Sequence, residues 1–154
     1  MVRGYDADTG GLLFEQLAFE PTFTGCVHLA SVDLNGDGKP ELILAAGAGG
    51  GPRLRVLDGQ TGKELPGPLG SFYAYSPMFT GGVEVAAADV DGDGFNDIIT
   101  GAGTGGGPHI QVFSGKDGSL ITSFFAFAGL LGRRPIGCRR LQRGWPRGSR
   151  RRCG

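Results

Sequence analysis

A nine-residue motif occurs twice in this chain, 56 residues apart, and it limits the possible folds more than any other feature. Asp33-Leu-Asn35-Gly-Asp37-Gly-Lys39-Pro-Glu41 is answered by Asp89-Val-Asp91-Gly-Asp93-Gly-Phe95-Asn-Asp97. In both copies, side-chain oxygens fall at positions 1, 3, 5 and 9, and a glycine falls at position 6. Alternate side chains of a tightly turning loop point inward. A glycine at position 6 permits the φ > 0 bend that lets them converge on a hard, oxygen-loving cation. The carbonyls of Lys39 and Phe95, at position 7, would add another oxygen. A lone Asp-Gly cluster is usually only a turn. Two copies in one register, each followed by an apolar strand, favour the cation.

The repeat extends well beyond the loops. Residues 23–65 align with 79–120, pairing Pro52 with Pro108 and Gly59 with Gly115. Residues 2–19 match the second half of the same unit. Each full unit reads as four short strands: Val83–Ala87 alternates, 97–100 is a short apolar run, and 109–113 and 120–127 alternate again. Asp58–Gly62 and Ser114–Gly118 read as Gly-containing hairpin turns of the bulge type. No stretch carries a helical period. Tandem four-stranded units of this length predict all-β propeller blades, which must stack because one blade cannot bury both faces. The divisions expected are 1–20 as the second half of a truncated blade, 21–76 and 77–127 as full blades, and 128–154 as a non-repeat tail. About two and a half blades, beginning mid-unit, suggest a piece of a larger propeller.

Charge is divided just as unevenly. All 15 Asp and Glu lie in residues 1–127 with only six Lys and Arg, a net of −9, while nine Arg and no acid occupy 128–154. An acidic body argues for cations and against nucleic acid as a partner. Composition and periodicity break at the same residue. Back-translated with GC-rich codons and read one base later, the tail permits a third copy of the acidic loop. A frameshift is therefore expected ahead of a basic disordered tail, and sequencing the locus tests it. There is no apolar run of membrane-spanning length and no basic-then-apolar leader. Cys26 is the one thiol of the body, so no disulfide framework is expected there.

Other chemistry fits poorly. An EF-hand requires Glu at position 12 and flanking helices, but Leu44 and Thr100 stand there and the flanks read as strands. Gly101–Gly106 satisfies GxGxxG, yet Pro108 and a strand follow where a dinucleotide site needs a helix. Tight backbone packing is the better reading of those glycines. His28 and His109 do not recur between copies and read as surface residues. No nucleophile–base pattern is evident, so an enzyme is not expected. Phe14, Phe19, Phe72, Tyr73, Phe124 and Phe125 fall in equivalent last strands and suit packing between blades, with sugar stacking the lesser alternative.

Together the acidic loop, the apolar strand after it and the GAGxGGGP stretch resemble the FG-GAP/VCBS repeat, the calcium-binding blade of integrin-α-like propellers. The resemblance covers residues 1–127. It implies Ca²⁺ at Asp33, Asn35, Asp37, Lys39 and Glu41, and at Asp89, Asp91, Asp93, Phe95 and Asp97. It implies an extracellular or cell-surface scaffold that recognises protein or carbohydrate through the full propeller. Millimolar external calcium would fill such loops even at a Kd of about 10⁻⁴–10⁻³ M. The alternatives are a carbohydrate-binding or accessory propeller domain of a secreted enzyme, and a small two-repeat protein whose basic tail binds acidic partners. Asn35 gives up one charge, so tighter binding is expected at Asp89–Asp97, and terbium luminescence of single-loop variants would test that order. Exposed sheet edges predict self-association of the isolated chain.

Overall fold

A computed structural model describes residues 1–127. The expected frameshift and the basic tail lie outside the described residues. Within those residues there is no helix, only ten antiparallel strands in three sheets. β1 (Val2–Tyr5) and β2 (Leu12–Gln16) form a two-stranded hairpin. β3 (Val27–Val32), β4 (Glu41–Ala46), β5 (Arg53–Leu57) and β6 (Ser71–Tyr73) follow one another across the second sheet. β7 (Val83–Ala88), β8 (Asp97–Ala102), β9 (His109–Phe113) and β10 (Leu120–Phe125) repeat that order in the third. The architecture is a partial β-propeller of two four-stranded blades and a half-blade.

Alternation decides which side chain meets which neighbour. Along β4, Ile43 and Ala45 enter a core shared with Val83, Ile98 and Phe113 of the third sheet. Leu44 and Ala46, one residue out of phase, enter a second core with Ala18 and Phe19 beyond the first hairpin. Both sets are fully buried, so this central strand is apolar on both faces and its sequence reads as a continuous run. Side chains on the two faces of a pleated strand cannot share a core. The middle blade is therefore covered on both sides.

Between the two full blades, β7 lies against β3 and β4. Here the glycine-rich stretches perform the tight packing expected of them. Gly82 adopts φ 80° and its α-carbon abuts the Gly47 backbone so closely that a Cβ would overlap it. The Gly49 N–H donates to the Thr80 carbonyl at 2.9 Å, tying the β4–β5 turn of one blade to the segment before β7 of the next.

Two expectations need adjusting. His109 is not a free surface residue: its ring stacks on Phe125 at 4.6 Å and lies 5.2 Å from Tyr75, half-buried at the blade boundary. His28 makes a 3.0 Å contact with Glu84 of the neighbouring blade. Among the aromatics, Phe19 is buried and Phe72 packs edge-on against Phe113 at 5.0 Å, as inter-blade packing requires. Tyr73, Phe124 and Phe125 instead stand about half exposed.

Candidate metal centre

Each acidic loop joins the first strand of a blade to the second, so its ends are fixed by an antiparallel ladder. In the second loop Val85, Ala86, Ala87 and Ala88 pair with Thr100, Ile99, Ile98 and Asp97. In the first, Ala30, Ser31 and Val32 pair with Ile43, Leu42 and Glu41. The position-9 acid is thus the first residue of a buried strand, while positions 1 to 8 form the turn.

Backbone N–H groups inside the turn set the direction of each side chain. Asp89 accepts from Gly92 N–H at 2.7 Å and from Gly94 N–H at 3.1 Å. Asp91 accepts from Asp93 N–H at 3.1 Å, and Asp93 from Phe95 N–H at 2.9 Å. The first loop repeats the pattern. Asp33 accepts from Gly36 and Gly38 at 2.7 and 2.8 Å, Asn35 from Asp37 at 2.9 Å, and Asp37 from Lys39 at 2.8 Å. Gly38 and Gly94, at φ 82° and 89°, take the left-handed conformation that their position demands.

Position 9 closes the loop from below. Asp97 is fully buried, and accepts from Val90 N–H at 2.9 Å and Gly115 N–H at 3.3 Å. Glu41, 1% exposed, accepts from Leu34 N–H at 2.7 Å. Burial pushes the Glu41 carboxyl above the usual carboxylate range. Hydrogen bonds from Leu34 and Asn35 act against that rise, and the charges of Asp37 and Asp33 add to it.

The two copies differ where Asn35 replaces the counterpart of Asp91. The Asn35 amide donates to Glu41 at 3.0 Å, so the first loop relieves its own charge with a hydrogen bond. A carboxylate cannot donate in this way. In the second loop one oxygen each of Asp89, Asp91 and Asp97 converges within 4.8 Å of the others. Asp93 stands outside that convergence. Lys39 and Phe95 occupy the position-7 turns, where Lys39 Nζ reaches Gln60 Oε1 at 2.7 Å and the Phe95 ring lies 5.2 Å from Lys116 Nζ. The donors in both loops are all oxygen, which fits a hard cation and no soft one.

A four-stranded repeat with an acidic turn after its first strand matches two family models: the FG-GAP-like repeat over residues 33–100 and the FG-GAP repeat over 81–120. The chain belongs to the FG-GAP repeat family. No curated protein and no solved structure matches it. The matched span takes in both acidic loops of this FG-GAP chain.

Two residues important to the loops were not singled out by spacing. Leu34, at position 2, is 2% exposed and belongs to the core between the blades. Asn96, at position 8, donates across the blade boundary to the Asp33 carbonyl at 2.8 Å. The apolar residue recurring at position 2 (Leu34, Val90) was the available signal for the first. For Asn96 there was none, because its counterpart is Pro40.

Proposed function

We propose that this chain is a non-catalytic, calcium-stabilised recognition scaffold from an extracellular or cell-surface protein, engaging protein or carbohydrate through its propeller. The observation that carries the calcium reading is the convergence of Asp89, Asp91 and Asp97 around a turn whose floor is a buried carboxylate. Three anions this close repel one another, most strongly at the buried Asp97, where water screens least. Bound calcium would supply the compensating charge and take the Phe95 carbonyl as a further ligand. Asp97 opens β8, Asp89 directly follows β7, and Gly94 lets the turn fold back between them. Holding those groups together fixes the first strand of the blade to the second. Anything bound only by the folded chain stabilises it by mass action, about 2.7 kcal/mol at a hundredfold excess over Kd. The first loop, with Asn35 already bonded to Glu41, has less repulsion to relieve and binds more weakly.

The test is thermal melting of the whole chain in millimolar calcium and in EDTA. Calcium is expected to raise the melting temperature, and Asp89→Ala is expected to remove most of the rise. An identical melting temperature in the two buffers overturns the calcium reading.

A second reading, carbohydrate binding, draws on a cleft that recurs. One cleft is lined by Glu20, Phe23 and Gly50, and the equivalent positions Ser76, Phe79 and Gly106 line another. An aromatic ring beside polar groups is what a sugar face and its hydroxyls require. Binding on a glycan array that is lost in Phe79→Ala would favour it.

A further inference from the structure

The two acidic loops are joined through the blade boundary. Asn96 stands between Phe95 and Asp97, both in the proposed ligand set, and its side-chain amide holds the peptide carbonyl of Asp33, the first ligand of the other loop, at 2.8 Å. The carbonyl of Asn96 itself lies so close to Gly115 that a Cβ there would overlap it. Gly115 in turn donates its N–H to Asp97. Leu34 fills the space beside these groups, with Cδ2 2.9 Å from where that Cβ would stand. Asp97, Gly115, Asn96, Leu34 and Asp33 therefore form one continuous packed seam. Asp33 is half-buried beneath it, whereas its counterpart Asp89 is exposed. The link is specific to this boundary, since Pro40 stands where Asn96 does and has no side-chain donor.

From this seam we infer that the two loops bind cations cooperatively and that Asn96 is the coupling residue. The inference rests on the calcium reading. A filled second loop orders the backbone from Phe95 to Asp97, which orients the Asn96 amide. The amide fixes the Asp33 peptide, and with it the carboxylate that caps Gly36 and Gly38. Filling the first loop then has less chain to order. Coupling of this kind is reciprocal, so filling the first loop favours the second by the same factor. Asn96 supplies no ligand atom; it is a positioning residue.

Calorimetric calcium titration of the whole chain tests this with matched position-1 variants, Asp33→Ala to disable the first loop and Asp89→Ala to disable the second; the Asn96 bond goes to the Asp33 backbone carbonyl, which both variants retain. Each is expected to weaken the intact loop by the same factor, about 5-fold or more. Asn96→Ala is expected to leave both loops binding while bringing that factor close to one. Asn96→Asp keeps the shape but replaces the donor with an acceptor, and it should do the same; circular dichroism checks that each variant keeps its sheets. Independent loops in the Asn96-containing protein overturn the coupling, and so does a factor that persists in both Asn96 variants. Absence of calcium binding in the unmodified chain is a different result, since it removes the metal reading itself and the coupling with it.

Discussion

At the scale of single residues, the two copies act as internal controls for each other. Leu34 and Val90 hold the same place in the repeat, yet Leu34 is 2% exposed and Val90 is 48% exposed. Chemistry and local turn are matched, so the difference comes from the neighbouring blade, which covers the first loop and not the second. Leu34→Ala should cost about 2–5 kcal/mol through lost burial and a residual cavity. Val90→Ala should change stability by no more than about 0.5 kcal/mol. Denaturant unfolding of both variants measures this, and equal losses would mean Leu34 is not an inter-blade anchor. The spacing of the oxygen-bearing side chains could be read directly, because turn chemistry repeats it whatever surrounds the loop. Tertiary placement could not be read in this way. Leu34 and Val90 look alike in sequence, and only the packing of one blade on the next makes them different.

At the scale of elements, strands and turns were the most legible part of the chain. Alternation marked the strands because each has an inner and an outer face, and the continuous run at 42–46 reflected a strand covered on both. The hairpin turns were legible for a local reason. Asp58 accepts from the Thr61 N–H and hydroxyl, both at 2.7 Å, and Gly62 turns the chain at φ 71°. Asp6 and Thr9 repeat the arrangement in the first hairpin. The Thr61 hydroxyl, then its N–H, holds the Asp58 carboxyl below the usual range, with Gln60 and Lys39 assisting. A carboxyl held low in the folded chain stabilises it above the unfolded-chain pKa, and that contribution disappears as pH falls through the folded value. Because the Asp58 carboxyl is screened by solvent, Asp58→Ala should cost no more than about 0.5 kcal/mol near neutrality, and the deficit should shrink below pH ~4. Stability measured against pH checks this, and a deficit that persists into strong acid would contradict it. The shortness of β6 was not legible. Only Ser71–Tyr73 pair with β5, because the chain first makes one bridge at Glu64 and then turns away to bury Leu69. Alternation alone cannot report such a detour, which is decided by a contact with another part of the fold.

At the scale of the whole molecule, the repeat that covers the middle blade leaves the last one open among the described residues. Ile43, Ala45, Leu54 and Val56 are fully buried on the face of the second sheet that meets the third. Their counterparts on the third sheet are Ile99, Gly101, Ile110 and Val112, of which only Val112 is buried. Phe124, on the neighbouring strand and paired with Ile110, is 48% exposed on the same sheet. A surface of that composition is compatible with a stacked blade, and stacking was legible in the sequence because neither face of an apolar strand can be left in water. A blade-accepting face is met by a second blade, and copies of the chain are the blades available in a pure solution. We propose that the isolated chain self-associates through this face, helped by the edge of β10, which is unpaired among the described residues. Replacing Phe124 with Glu and Ile110 with Thr should shift it toward monomer without lowering its melting temperature by more than a few degrees, since both residues are already partly solvated. Sedimentation over a wide concentration range decides the matter: association in both proteins would move the contact to another surface, and a clean monomer in the unmodified chain would remove it.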